Sequence, residues 1–237
     1  MREMPCRLVA VTFDAQAPRK LAQFWAGLLG RSVVDDAGGV LLPGSATQVG
    51  LRFVRSGGTK VGANRVHLHL TSTTAAGQRE RVDAALGLGG THLDVGQLPQ
   101  DGHVVLADPE GNELCVIEPG NAYLDGCGLL GEVACDGTRQ VGLFWAGALA
   151  WPLVWDQDEE TAIQSPHGGT KVAWGGPPVA PRRGRNRQRL HLTVSDGDLA
   201  VEVDRLVALG ATRTGGGGGD EVELADPDGN EFSLTAG

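Results

Sequence analysis

Basic charge, lysine, aromatic rings and long apolar runs are all scarce in this 237-residue chain. Acidic residues outnumber basic ones 29 to 20, for a formal charge of -9, which argues against a nucleic-acid partner because phosphate contacts need a basic footprint. No apolar run approaches the ~20 residues of a membrane span. The opening stretch MREMPCRLVA also lacks the apolar core of a signal peptide. No membrane partner and a cytoplasmic location are therefore expected. The four cysteines, Cys6, Cys115, Cys127 and Cys135, form no CxxC pair and no dense framework, so reduced thiols are expected rather than disulfides.

Glycine is abundant, with 37 residues, roughly twice the usual share of ~7%; many tight turns between short strands follow. The chain is also internally repeated, which governs every later inference. FWAGLLG at Phe24 returns as FWAGALA at Phe144, and LADPEGNELCV at Leu106 returns as LADPDGNEFSL at Leu224. GGTKV occurs at Gly57 and Gly168, and RVHLHLT at Arg65 is echoed by RLHLTV at Arg189. Four matches in one order and at near-constant offset make two copies, 1–122 and 123–237, joined near Asn121 to Gly128.

Each copy divides again. Leu21, Phe24, Trp25 and Leu28 have helical spacing and stop at Gly30, while Leu199, Val203, Leu206 and Val207 stop at Gly210 after a capping candidate at Ser195 or Asp196. Further helices fit Gln78 to Leu88 and Thr138 to Leu149. A β-prone run precedes each helix and about three short strands follow it, so the unit is strand, helix, three strands, four times over. In the DPxGN segments Asp starts a turn, Pro sets φ and Gly supplies positive φ, which predicts hairpin connections; a catalytic aspartate is the alternative.

Four βαβββ modules, with FWxxxLG on the first helix and ADPxGNE before the last strand, resemble the vicinal oxygen chelate superfamily, and within it the tandem glyoxalase-like branch. The resemblance covers Arg7 to Leu234. It implies an α+β fold of two tandem glyoxalase-like domains, each a pair of βαβββ modules forming a curled, cup-shaped sheet with helices outside. Members include glyoxalases, ring-cleaving dioxygenases, fosfomycin-modifying enzymes and bleomycin-sequestering proteins, so the fold alone leaves function open. Tandem fusion can hold in one chain the pairing that single-domain relatives obtain by dimerising, and a monomer or a homodimer is expected.

In metal-using relatives the ligands come from the first and last strands of each module. Carried onto this sequence, the fifth-strand position is His67 in the first copy and His191 in the second. The first-strand position falls near Ala10 and Glu132, the fourth near Phe53 with no acid in the GGTKVAW stretch, and the eighth at Cys115 and Ser233. A catalytic divalent site needs about three converging ligands and an open position. The resemblance therefore implies no tight metal site of the family type; no cofactor is expected, and a divalent metal is left open.

Strand alternation places His67 and His69 on one face and Leu68 and Leu70 on the other. If the leucines lie under the helices, both histidines face the cup, as do His191 and Thr193 in the second copy. His67 and His191 are either neutral imidazoles hydrogen-bonded within a sheet or ligand contacts, and His69 is a candidate acid or base. His92, His103 and His167 read as turn or surface residues. Cys115 is either a buried apolar residue or a nucleophile or soft ligand, and a placement two residues off would put Glu113 there. Trp25 and Trp145 belong to the helix motifs and the core. Trp151, Trp155 and Trp174 line either an apolar pocket or a domain interface. The insertion Pro177 to Arg189 has no counterpart in the first copy. Its arginines Arg182, Arg183, Arg185, Arg187 and Arg189 belong to a solvated loop or grip an anion. The run Gly215 to Gly219 reads as a flexible turn.

Two functions are compatible with these residues. One is metal-independent binding of a small organic molecule in a cup lined by Trp155, Trp174 and His191, with Phe53, Thr193 and Ser233 as further contacts. The other is a lyase or isomerase of the glyoxalase-like type using His67 with His69 or Cys115. A glutathione-linked glyoxalase I activity is disfavoured, since its usual His/Glu quartet is missing.

Overall fold

Every one of the four repeated segments folds as strand, helix and three strands. The computed structural model describes residues 6–36, 39–98, 100–181, 183–194, 198–215 and 221–237. The first module holds β1 (Cys6–Ala15), α1 (Pro18–Leu29), β2 (Val34–Asp36), β3 (Gly39–Leu42) and β4 (Gly50–Arg55). The second holds β5 (Val66–Leu70), α2 (Ala75–Gly87), β6 (Thr91–His92), β7 (Val104–Ala107) and β8 (Glu113–Val116). A single 3-10 turn at Ala122–Leu124 leads to the third, with β9 (Leu130–Cys135), α3 (Arg139–Leu149), β10 (Leu153–Gln157), β11 (Glu160–Gln164) and β12 (Lys171–Trp174). The fourth holds β13 (Gln188–Val194), α4 (Leu199–Leu209), β14 (Thr212–Arg213), β15 (Glu221–Ala225) and β16 (Glu231–Thr235).

The helices end where the sequence places their stops. Gly30 closes α1 in the left-handed region at φ 64°, donating its N–H to the Ala26 carbonyl, which a residue without a Cβ does at no steric cost. Asp198 caps α4 through the Ala200 N–H; Ser195 and Asp196, the expected caps, lie outside the described residues, as do Arg182 and Gly216 to Gly219.

Two eight-stranded sheets result, and the modules pair across the copies. The first sheet runs β14-β15-β16-β13-β1-β4-β3-β2 and joins modules one and four; the second runs β10-β11-β12-β9-β5-β8-β7-β6 and joins modules two and three. The central seams are antiparallel, β1 on β13 and β5 on β9. Each sheet is therefore one cup, built from one module of each copy.

Within each copy the two modules, which belong to different sheets, are tied together through the signature motifs. Trp25 Nε1 on α1 donates to Asp108 Oδ2 at 3.1 Å, and Trp145 Nε1 on α3 donates to Asp226 Oδ2 at 3.2 Å. Both aspartates sit in the DPxGN turns, where they also accept backbone N–H groups from Asn112 and Asn230. The turn reading is correct, and the tryptophan partner explains why the aspartate is buried. One apolar core, containing Trp25 and Trp145, runs between helices and sheets of both cups.

Candidate functional site

The second cup holds a row of polar side chains beside an open cavity. Four adjacent strands, β12, β9, β5 and β8, present Lys171, Glu132, His69 and Cys115 in register across the sheet. One step along the strands the matching row is Ala162, Ala173, Ala134 and His67. Two of these methyl-sized side chains, Ala134 and Ala173, floor a cavity of about 440 Å³ walled by Tyr123, Trp155, Glu160 and Asp136.

Glu132 is the hub of the polar row. His69 Nδ1 lies 2.7 Å from its Oε2, and the Tyr123 hydroxyl donates to its Oε1 at 2.7 Å. Burial alone would push the His69 pKa down, but its bonds with Cys115 and Glu132 outweigh that and raise it to about 10. Burial likewise opposes ionisation of Glu132, yet the bonded His69 holds its carboxyl below the usual range. The result is an imidazolium-carboxylate pair. Tyr123 is pushed up by burial and by the facing carboxylate, so it stays a donor. Lys171 donates its ammonium to the Tyr123 carbonyl and sits 4.0 Å from the centre of the Tyr123 ring.

Trp155, 36% exposed, meets Tyr123 edge-on with ring centres 5.7 Å apart and forms the apolar wall. Trp174 does not share that role fully. Alternation along β12 turns it under α3, where it stacks 6.4 Å from Trp145 and is 1% exposed; only its edge borders the cavity. The expectation that Trp155, Trp174 and His191 line one cup is corrected, because cross-copy pairing sends His191 to the first cup. His67 lines the second cup, but its Nε2 is held 2.7 Å from the Asn64 carbonyl.

The first cup is filled differently. Its corresponding row is Gly50, Ala10, His191 and Ser233. The His191 Nδ1 and Ser233 Oγ are 2.8 Å apart, and burial, aided by Arg52, lowers the His191 pKa. This is a neutral imidazole bonded within a sheet, with Thr193 buried beside it. The next row holds Arg52, Thr12 and Arg189. Arg189 bonds Asp14 at 2.8 Å, Arg52 bonds Asp36, and Arg185 reaches in to bond Glu223. Phe53 is corrected as well: it is fully buried on the helix side, 5.1 Å from the Phe13 ring, since alternation gives the cup face to Arg52.

Both cups share a local scaffold that resets the alignment of the copies. Asn64 Nδ2 donates to Asn112, and Asn186 Nδ2 to Asn230; the Asn64 N–H bonds Glu113, and the Asn186 N–H bonds Glu231. Asn64-Arg65 thus matches Asn186-Arg187, so His69 corresponds to His191 and His67 to Arg189. Matching on the letters Arg-x-His-Leu is two residues off.

A divalent ion does not suit either row. In the second cup Glu132 has both oxygens engaged, His69 is protonated with Nδ1 turned to Glu132, and the fourth position is an ammonium. In the first, His191 faces Ala10 and Gly50. Among the described residues no group of three or more His, Cys, Asp or Glu side chains is arranged to hold a metal ion. Sequence reasoning missed Tyr123 and Lys171. Tyr123 is the only tyrosine, and Lys171 is one of three lysines and lies in the repeated GGTKV; scarcity was the available signal. Glu132 was weighed, but for the wrong cup.

The chain matches the family model of a glyoxalase-like domain twice, over residues 10–117 and 132–235. Among solved structures, glyoxalase I from Zea mays aligns at 13% identity with a TM-score of 0.69, covering 98% of this chain and 92% of that one. A protein from Bacillus subtilis described as a candidate dioxygenase aligns at 13% identity and a TM-score of 0.62, covering 97% and 84%. At such identity the likeness is one of fold. No curated protein matches the chain.

Proposed function

The chain belongs to the glyoxalase-like domain family of the vicinal oxygen chelate superfamily, and we propose that its second cup binds a small organic molecule without help from a divalent metal. The observation that carries this reading is the Glu132-His69 pair, flanked in register by Lys171 and Cys115, on the floor of a cavity of about 440 Å³. Strand positions that could supply ligands to an ion instead supply two cations already neutralised in part by one carboxylate. Trp155 and Tyr123 offer a flat apolar wall beside the charged His69-Glu132 pair. Titration with small organic compounds, followed through tryptophan emission, tests it. A response that is unchanged by a chelator and lost in Ala173→Leu, which fills the floor, is expected. A response that requires added metal overturns the proposal.

The same row supports a catalytic reading of the lyase or isomerase kind. His69 is a protonated group oriented by Glu132 and adjacent to the Cys115 thiol, the acid and orienter of a proton-transfer step. His67 is tied to Asn64, so the pairing is His69 with Cys115. If turnover exists, His69→Gln removes it while ligand binding persists; turnover unaffected by that change rules the catalytic reading out.

A further inference from the structure

Two residues before His69 on the same face of β5, His67 carries a lone pair that the Glu132-His69 pair does not use. Its ring lines the second cup, opposite Ala134 of β9. One ring nitrogen, Nε2, lies 2.7 Å from the Asn64 carbonyl oxygen. A carbonyl only accepts, so in the neutral ring the proton sits on Nε2 and Nδ1 is left as a bare acceptor. That Nδ1 has no hydrogen-bond partner among the described residues, and it is not sealed from solvent as the unpartnered Arg65 and Gln188 nitrogens are. His69 differs in being paired with a carboxylate.

The lock on this tautomer is built into the fold. Asn64 is held by its side chain to Asn112 at 3.0 Å and by its N–H to Glu113 at 3.3 Å, and Asn112 is fixed in its turn by Asp108. The first cup repeats the contact with another side chain: Arg189, the structural equivalent of His67, donates Nη1 to the Asn186 carbonyl at 2.7 Å. A guanidinium can only donate, which marks this carbonyl as the acceptor for the side chain three residues on and leaves the first cup no lone pair at that place. An imidazole meets the same demand with one nitrogen and keeps the other for the cavity.

We propose that His67 Nδ1 is the specificity-determining acceptor of the second cup, selecting a flat molecule that bears a hydroxyl or ring N–H donor and lays its ring against Trp155 and Tyr123. This rests on the cup-binding reading and adds the chemical class of the ligand. A donor stripped of water on entry is recovered by the lone pair, whereas a ligand without one leaves Nδ1 unsatisfied.

Phenol and its methyl ether, anisole, test this when titrated calorimetrically into the full chain. Phenol binds roughly three- to tenfold tighter than anisole, the worth of one hydrogen bond, and His67→Phe, which keeps a ring but no nitrogen, abolishes that preference while still binding anisole. Because this change also strips the Asn64 carbonyl of its donor, the tautomer is read separately in the unaltered protein, from proton-nitrogen NMR correlations of the histidine rings in mildly alkaline buffer, and shows Nε2 protonated and Nδ1 bare. An Nδ1–H tautomer, equal affinity for the two probes, or a preference for phenol that survives His67→Phe overturns the inference and leaves the cup reading in place. Binding of neither probe overturns the inference too, and the cup reading then stands or falls by its own titration. Binding unchanged by Ala173→Leu overturns both.

Discussion

The two cups are built by the same strand order around the same motifs, yet one is open and one is filled. At matched positions the second cup has Lys171, Glu132, His69 and Cys115 where the first has Gly50, Ala10, His191 and Ser233. One step along, Ala173, Ala134 and His67 face Arg52, Thr12 and Arg189. Alanines leave volume; arginines paired with Asp14, Asp36 and Glu223 consume it. The same imidazole consequently has opposite character in the two cups, a proton donor beside Glu132 and a neutral sheet residue beside Ser233. Cup backbone is shared, and side-chain charge decides use.

The strongest way to break this contrast is Glu132→Gln. Removing one partner of a buried pair leaves His69 and Lys171 without their carboxylate, and a loss of about 3–5 kcal/mol in urea unfolding is expected; a loss under ~1 kcal/mol would mean that the pair contributes nothing. The motif latches should show the copies as equals. Trp25→Phe and Trp145→Phe each remove a buried donor to an aspartate, costing about 1–3 kcal/mol apiece, and a large inequality would show that the two copies do not depend equally on this tie between their modules.

Stability against pH separates the cups by sign. His69 has a raised pKa, so its contribution is whole below the ordinary value of 6.5 and is lost as pH climbs through about 10. The Glu132 contribution is present above its ordinary 4.5 and is lost as pH falls through its lowered value. His191 has a lowered pKa, so its contribution is whole above 6.5 and is lost as pH falls through that lowered value. Melting curves should therefore lose their alkaline decline in His69→Gln and soften their acid decline in His191→Gln. The same acid slope in His191→Gln as in the parent would contradict the first-cup assignment. The smallest stability change belongs to Ala173→Leu: its side chain fills open cavity, within ~1 kcal/mol of the parent, while ligand-induced change in tryptophan emission disappears.

Much of the fold was legible because its signals are local. Helix spacing around Phe24 and Trp25, the Gly30 stop and the Asp-Pro-x-Gly-Asn turns act over a few residues, and each appears where expected. The cup contents were less legible. Inward faces followed from alternation at His67, His69, His191 and Thr193, but Phe53 and Trp174 sit at the opposite parity and lie under helices. The two-residue slip between copies arose because Arg-x-His-Leu recurs by letter, whereas Asn64 and Asn186 are matched by hydrogen bonds to Asn112 and Asn230 more than forty residues away.

By itself the chain's order of residues determined four βαβββ modules and the turns between them, since periodicity and glycine stops are properties of neighbours. Tertiary structure alone decided that modules pair across the copies, and hence that Glu132 meets His69 while His191 is left facing Ala10. Strand partners are chosen by burial and edge pairing across long sequence separations, and no local pattern records which of two similar edges will be taken.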